Sequence, residues 1–316
     1  MSNRVSTQRL IRRFDRPLII HPFYHTVSNG YLPHLNPFYK PRTFEQFKND
    51  LNFFLRYFQA VDAEDVLLHT TGEKRLAKDA FHLSFDGGLK EVYTEVTPYL
   101  YRKGIPATLF FTTDFVNNTQ LFYRHKAALI IDTVTKRTPS PATRKVIETR
   151  LGLPEKKTLP EKLLAVSYSQ RDALDEIASL LELDFGQYLQ SECPYLTMKQ
   201  LFDMQKKGFS IGGNGVDGQP FSGLSEEEQI QQIVSSIGFV KRIVPDQHRY
   251  FAFPGTDAGV PEPVFQTIYR KSKRGAELTF GSGGIGTRYD GRHISRIAME
   301  QAGWDAEKVV NKALIL

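Results

Sequence analysis

At 316 residues the chain is long enough for two small domains or for one large α/β barrel, a fold that commonly runs to about 250 residues as one unit. A hydrophobic share of 41% with 24% charged residues is ordinary for a globular protein and excludes disordered and collagen-like classes. The net charge of +6 is dispersed, with short clusters at 9–14 (RLIRRF) and 269–275 (YRKSKRG) and no aromatic-interleaved basic stripe, so a solvated basic surface is expected and no specific nucleic-acid partner.

Cys193 is the single cysteine, which rules out an internal disulfide and predicts a packed thiol. The first twenty residues carry basic side chains without the apolar core of a signal peptide, and no apolar run is long enough to span a bilayer. A cytoplasmic location and no transmembrane segment are therefore expected.

In chain order, the stretch 17–28 (PLIIHPFYHTVS) predicts a first strand ending on a His-rich turn. An amphipathic helix follows, opened by a capping-box pattern at Thr43 and Gln46, with Phe44, Phe47, Leu51, Phe54, Leu55 and Phe58 on one face. Phe81, Leu83 and Phe85 alternate with polar residues as a strand, and after Gly87–Gly88 a helix with Val92, Val96 and Leu100 inward stops at Gly104. A buried strand at 105–111 completes a strand–helix rhythm that implies a parallel sheet. From about 121 to 192 strand signals vanish, predicting a helical insertion in one otherwise continuous domain covering 1–316. The earlier pattern then returns: a helix capped by Thr197 and stopped by Gly208, a short strand to Ile211, a helix over 225–243, and strands at 250–254 and 276–280.

The stretch 281–286 (GSGGIG) has dinucleotide-loop spacing, but no apolar-faced helix follows it, so it reads as a glycine loop. No G-x-S-x-G elbow, H-E-x-x-H or Cys pair is present. His25 and His82, at strand ends, read equally as core donors or ligands. Asp86, at the C-terminal end of a parallel strand, reads either as a barrel active-site acid or as a helix N-cap.

Five segments taken together resemble the polysaccharide deacetylases, the NodB-homology group of carbohydrate esterase family 4. LSFDGG (83–88) is similar to the family's T/S-F-D-D-G motif, and SIGGNGVDGQPFSGLS (210–225) to its I-G-x-H-[ST]-x-x-H-P motif. FAFPGT (251–256) resembles the aromatic-Pro cleft motif, HISRIAME (293–300) the closing Arg-Ile-Pro strand with Arg296, and FYHTVS (23–28) the Tyr-His opening strand with His25. The resemblance implies an α/β fold, a distorted (β/α) barrel with the motifs at one mouth, and metal-dependent removal of acetyl groups from sugars. It places the general base at Asp86 and the three metal ligands at Gly87, Asn214 and Gly218, where no strong ligand remains.

A degenerate metal site follows, with no cofactor expected and zinc only through relocated ligands such as His82, His25, His293, Asn214 or Asp217. Without a metal to acidify water, hydrolysis by the family route should be severely impaired. The leading reading is a catalytically impaired deacetylase-like protein that binds an acylated amino sugar or oligosaccharide through Asp86, Asn214, Asp217, Phe253, Pro254, His25, His293 and Arg296, or modulates a protein partner. Two others stay open: an active deacetylase with relocated ligands or a metal-free mechanism, and a basic-surface interaction protein with a vestigial cleft.

Overall fold

The computed structural model describes residues 6–14, 17–152, 157–270 and 274–315. Residues 271–273 of the basic cluster at 269–275, and 1–5 and 15–16 of the basic N-terminal stretch, lie outside them.

Twelve short strands are found among the described residues: β1 Ile19–Ile20, β2 Pro22–Tyr24, β3 Gln59–Ala60, β4 Ala80–Phe81, β5 Leu83–Phe85, β6 Ala107–Phe111, β7 Ser210–Gly213, β8 Tyr250–Ala252, β9 Leu278–Phe280, β10 Thr287–Arg288, β11 His293–Ile294 and β12 Ile297–Ala298. Nine form one curled sheet in the order β10-β11-β9-β8-β7-β6-β5-β2-β12, parallel throughout except for the β10–β11 pair. The barrel implied by the resemblance is thus a half-barrel, with β10 and β12 as its unpaired edges among the described strands. Helices cover the outside, so strand residues are buried on both faces, and β6 (ATLFF) is apolar or small at every position but Thr108.

The first and second expected strands each divide at a histidine. β1 and β4 pair in a small parallel sheet, order β1-β4-β3, while their continuations β2 and β5 pair in the large one. His21 and His82 sit at the two breaks, their buried rings edge to face at 5.8 Å. His82 Nε2 lies 2.8 Å from Thr108 Oγ1 and its ring stacks on Phe280, which makes it a core histidine. Burial, with the charge of Arg296, lowers it to about 3, so it is neutral.

Local signals explain the helices. Thr43, Thr197 and Ser225 each close a capping box with Gln46, Gln200 and Glu228, opening helices Phe44–Tyr57, Met198–Lys206 and Glu226–Val240. Each cap is worth roughly 1 kcal/mol. After Gly88 the chain takes a π-helical turn, Val92–Val96, before helix Thr97–Lys103 stops at Gly104 with φ 63°. Every described element from 121 to 192 is helical, Tyr123–Lys136 through Phe185–Glu192, and these helices bury their own cluster including Ile130, Ile147, Leu163 and Leu174. Cys193, expected to be packed, is instead exposed at the end of the last of them. No described helix is long and apolar enough to cross a membrane. The stretch 281–286 is the loop from β9 to β10, with no helix behind it.

Candidate functional site

The C-terminal ends of β2, β5, β6, β7 and β8 surround a cavity of about 390 Å³, within the roughly 300–1,000 Å³ usual for small-ligand sites. Asp86 reaches it from the end of β5, its amide still donating to the Tyr24 carbonyl at 2.9 Å. Its carboxylate caps no helix. Arg296 grips it instead, Nη1 to Oδ1 at 2.7 Å and Nη2 to Oδ2 at 2.6 Å. Arg296 is 1% exposed, donates also to Ser84 Oγ and the Gly281 carbonyl, and lies 4.3 Å from the Phe23 ring centre. A two-point guanidinium–carboxylate pair of this kind fixes Asp86 and compensates its buried charge. Each carboxylate oxygen still has a lone pair to offer the cavity.

The three positions that the resemblance assigns to a metal have been rebuilt. Gly87 offers no donor; its φ of 87° is a left-handed conformation, and nothing lies within 4 Å of where a β-carbon would stand. Asn214 donates Nδ2–H to the Ala252 carbonyl at 2.9 Å, tying its amide to the sheet. At Gly218 a β-carbon would lie 2.8 Å from Phe122 Cε2 and 3.4 Å from Phe115 Cζ, so aromatic rings hold the space an imidazole would need. No described group of three or more His, Cys, Asp or Glu is arranged to hold an ion. The family's metal does not fit these residues.

Two histidines face the cavity with opposite characters. His25, after β2, has Nδ1 2.6 Å from Glu300 Oε2, and Glu300 Oε1 accepts the amides of His25 and Thr26. Burial alone would lower its pKa, but the charge and hydrogen bond of Glu300, helped by Asp86, raise it. Its Nε2 has no protein partner among the described residues. His125 has Nδ1 2.6 Å from the Tyr195 hydroxyl, which also accepts the Phe122 amide at 3.0 Å. The Tyr195 oxygen already accepts that amide, and donation of its own proton to Nδ1 would leave the imidazole proton of His125 on Nε2. Burial, then the charges of His34 and His25, hold His125 well below the usual range, so it is a neutral donor. Leu35, Leu89, Phe115, Phe122 and Pro254 supply apolar wall. The arrangement can bind a carbonyl or hydroxyl through His125 and Asp86 and seat an apolar group beside them.

Of the residues singled out from sequence, His25, Asp86, Asn214 and Pro254 meet here, together with Gly87 and Gly218. Phe253 does not: it is 2% exposed in a ring cluster with Phe221, Phe251 and Phe265, because its side chain points to the helix layer. Asp217 is drawn off the cavity by Tyr168, whose hydroxyl donates to it at 2.7 Å, and by Gln232. His293 is fully buried between Thr279 and Asp257. Arg296 acts from behind Asp86 and does not line the cavity. Sequence reasoning missed Glu300, although it ends the quoted 293–300 stretch, and missed Phe122, Arg124, His125 and Tyr195. These four lie in or beside the helical stretch 121–192, which holds none of the motifs quoted above.

This curled parallel sheet, with its cavity at the strands' C-terminal ends, is the architecture of a half-barrel α/β protein. A family profile of polysaccharide deacetylases matches residues 73–264, and the chain belongs to that family. No curated protein matches it. Among solved structures it is similar in fold to the Streptococcus pyogenes deacetylase PplD in complex with acetate (TM-score 0.59, 12% identity, 94% of this chain and 97% of that one covered). IcaB from Ammonifex degensii gives a TM-score of 0.57 at 14% identity over 94% of this chain and 97% of that one. A de-N-acetylase from Aggregatibacter actinomycetemcomitans gives 0.51 at 13% over 95% and 98%.

Proposed function

We propose that this protein binds an acylated sugar in the deacetylase cavity without a metal, and that hydrolysis by the family's metal route is lost. The observation that carries the reading is the pairing, at one mouth, of an open cavity retaining Asp86 with a ligand position occupied by the Phe122 ring. Asp86 and the Nε2–H of His125 supply the few placed polar groups such a site needs, and the aromatic wall suits the apolar face of a sugar or its acyl methyl. Titration with acetylated glucosamine oligomers in the presence of a chelator, followed by backbone amide NMR, tests it. Saturable shifts at Asp86, Asn214 and 122–125, weakened in Asp86→Ala, are expected; no saturation at millimolar sugar would remove the reading.

The His25–Glu300 pair favours a second reading, metal-free hydrolysis of an easier, ester-linked acyl group. An imidazole held at Nδ1 by a carboxylate, with Nε2 open to the cavity, is the arrangement of a general base. Acetate release from O-acetylated sugar in chelator, lost in His25→Gln, would support it; no release above the uncatalysed rate would eliminate it.

A further inference from the structure

One arginine of the cavity wall has no carboxylate beside it, and that specifies a ligand. Asp86 is paired with Arg296 and Glu300 with His25, while His125 is neutral for the reasons given above. The remaining charged residue of the wall is Arg124, at the start of helix Tyr123–Lys136, and no carboxylate lies within ion-pair distance of it among the described residues. Its Nε donates to the Tyr123 hydroxyl at 3.1 Å, and its guanidinium lies over the rings of Tyr123 and Phe38 at 5.6 and 5.8 Å. Both Nη groups are left without a protein acceptor among the described residues. Arg124 is exposed at the rim of the cavity, and there the two rings and one hydrogen bond orient the fork of donors that matches a carboxylate.

We infer that the sugar bound here carries a carboxylate as well as its acyl group, an acylated uronic acid residue, and that Arg124 selects it. The inference rests on the proposed sugar-binding reading and adds the ligand's charge. One open guanidinium calls for one negative charge, which favours a carboxylate over a phosphate dianion. Selection comes from the insertion, since helix Tyr123–Lys136 carries Arg124, whereas Asp86 and His25 come from the sheet.

Calorimetric titration of the full chain with three probes tests this: N-acetylglucosamine, the corresponding N-acetylglucosaminuronic acid, and N-acetylglucosamine 6-phosphate. The uronate is expected to bind at least tenfold more tightly than the neutral sugar at low salt, with the advantage falling as salt rises. Arg124→Gln should bring the two to equal affinity, and Arg124→Lys should keep part of the difference. Equal affinities in the parent would overturn the inference and leave the sugar-binding reading standing. A phosphate preferred over the uronate and dependent on Arg124 would overturn the carboxylate assignment. Failure of all three probes to saturate would overturn the sugar-binding reading and the inference with it.

Discussion

Phe122 does at residue scale what no motif comparison shows: its ring stands where a side chain on Gly218 would begin. Replacing Gly87 with Asp and Asn214 and Gly218 with His therefore does not by itself recreate a metal site. We expect that triple variant to bind zinc no better than the parent, and to gain affinity only when Phe122→Ala is added, as read by competition with a zinc dye; strong binding by the triple alone would mean that the ring moves aside freely. The left-handed backbone at Gly87 and Gly218 adds strain of roughly 1–2 kcal/mol at each substituted position. Asp86 and Arg296 give a second expectation. Arg296→Met strands a buried carboxylate and should cost about 3–5 kcal/mol in urea denaturation, whereas Asp86→Asn with Arg296→Met should recover much of it. Equal losses in the single and double variants would show that the pair contributes by packing alone. Asp86, Gly87 and Gly218 were legible because the residue types at those positions are themselves the signal. The Phe122 ring and the Glu300 partner were not, since neither contact is encoded in local sequence.

Among elements, periodicity and caps predicted the helices well, because a capping box and an apolar stripe are local. The strands were harder. A continuous apolar run such as PLIIHPFY gives no sign that its first half pairs in one sheet and its second in another; at that division His21 meets His82 of a strand about sixty residues away in sequence. The same limit hid the cavity's outer wall, where the turn bearing His34 and Leu35 meets the insertion. There His34 Nδ1 lies 2.8 Å from the Tyr188 hydroxyl of helix Phe185–Glu192, and its ring packs edge to face on His125. Burial, then the charge of Lys90, lowers His34 from 6.5 to about 4. The folded chain thus refuses a proton that the unfolded chain accepts between those values. The contribution of His34 is fully present above pH 6.5 and is lost as pH falls toward 4, on the order of 3 kcal/mol over the window. Urea denaturation of the parent and His34→Gln at pH 7 and pH 4.5 checks this: the parent should lose more stability than the variant, and parallel losses would refute the assignment.

The whole molecule combines a family half-barrel with a run of helices, from Tyr123–Lys136 to Phe185–Glu192, whose first helix lines part of its mouth. The order of the motifs along the chain was enough to recognise the fold, because strand order fixes which segments gather at the C-terminal ends of a parallel sheet. It did not reveal which side chains face inward, as Phe253, Asp217 and His293 demonstrate. We propose that the cavity works without the metal its family resemblance implies. Elemental analysis of the purified chain after incubation with excess zinc and gentle dialysis tests it most directly. Well under one zinc per chain is expected, unchanged by Asp86→Ala or His25→Ala; one zinc per chain, lost in either variant, would contradict it.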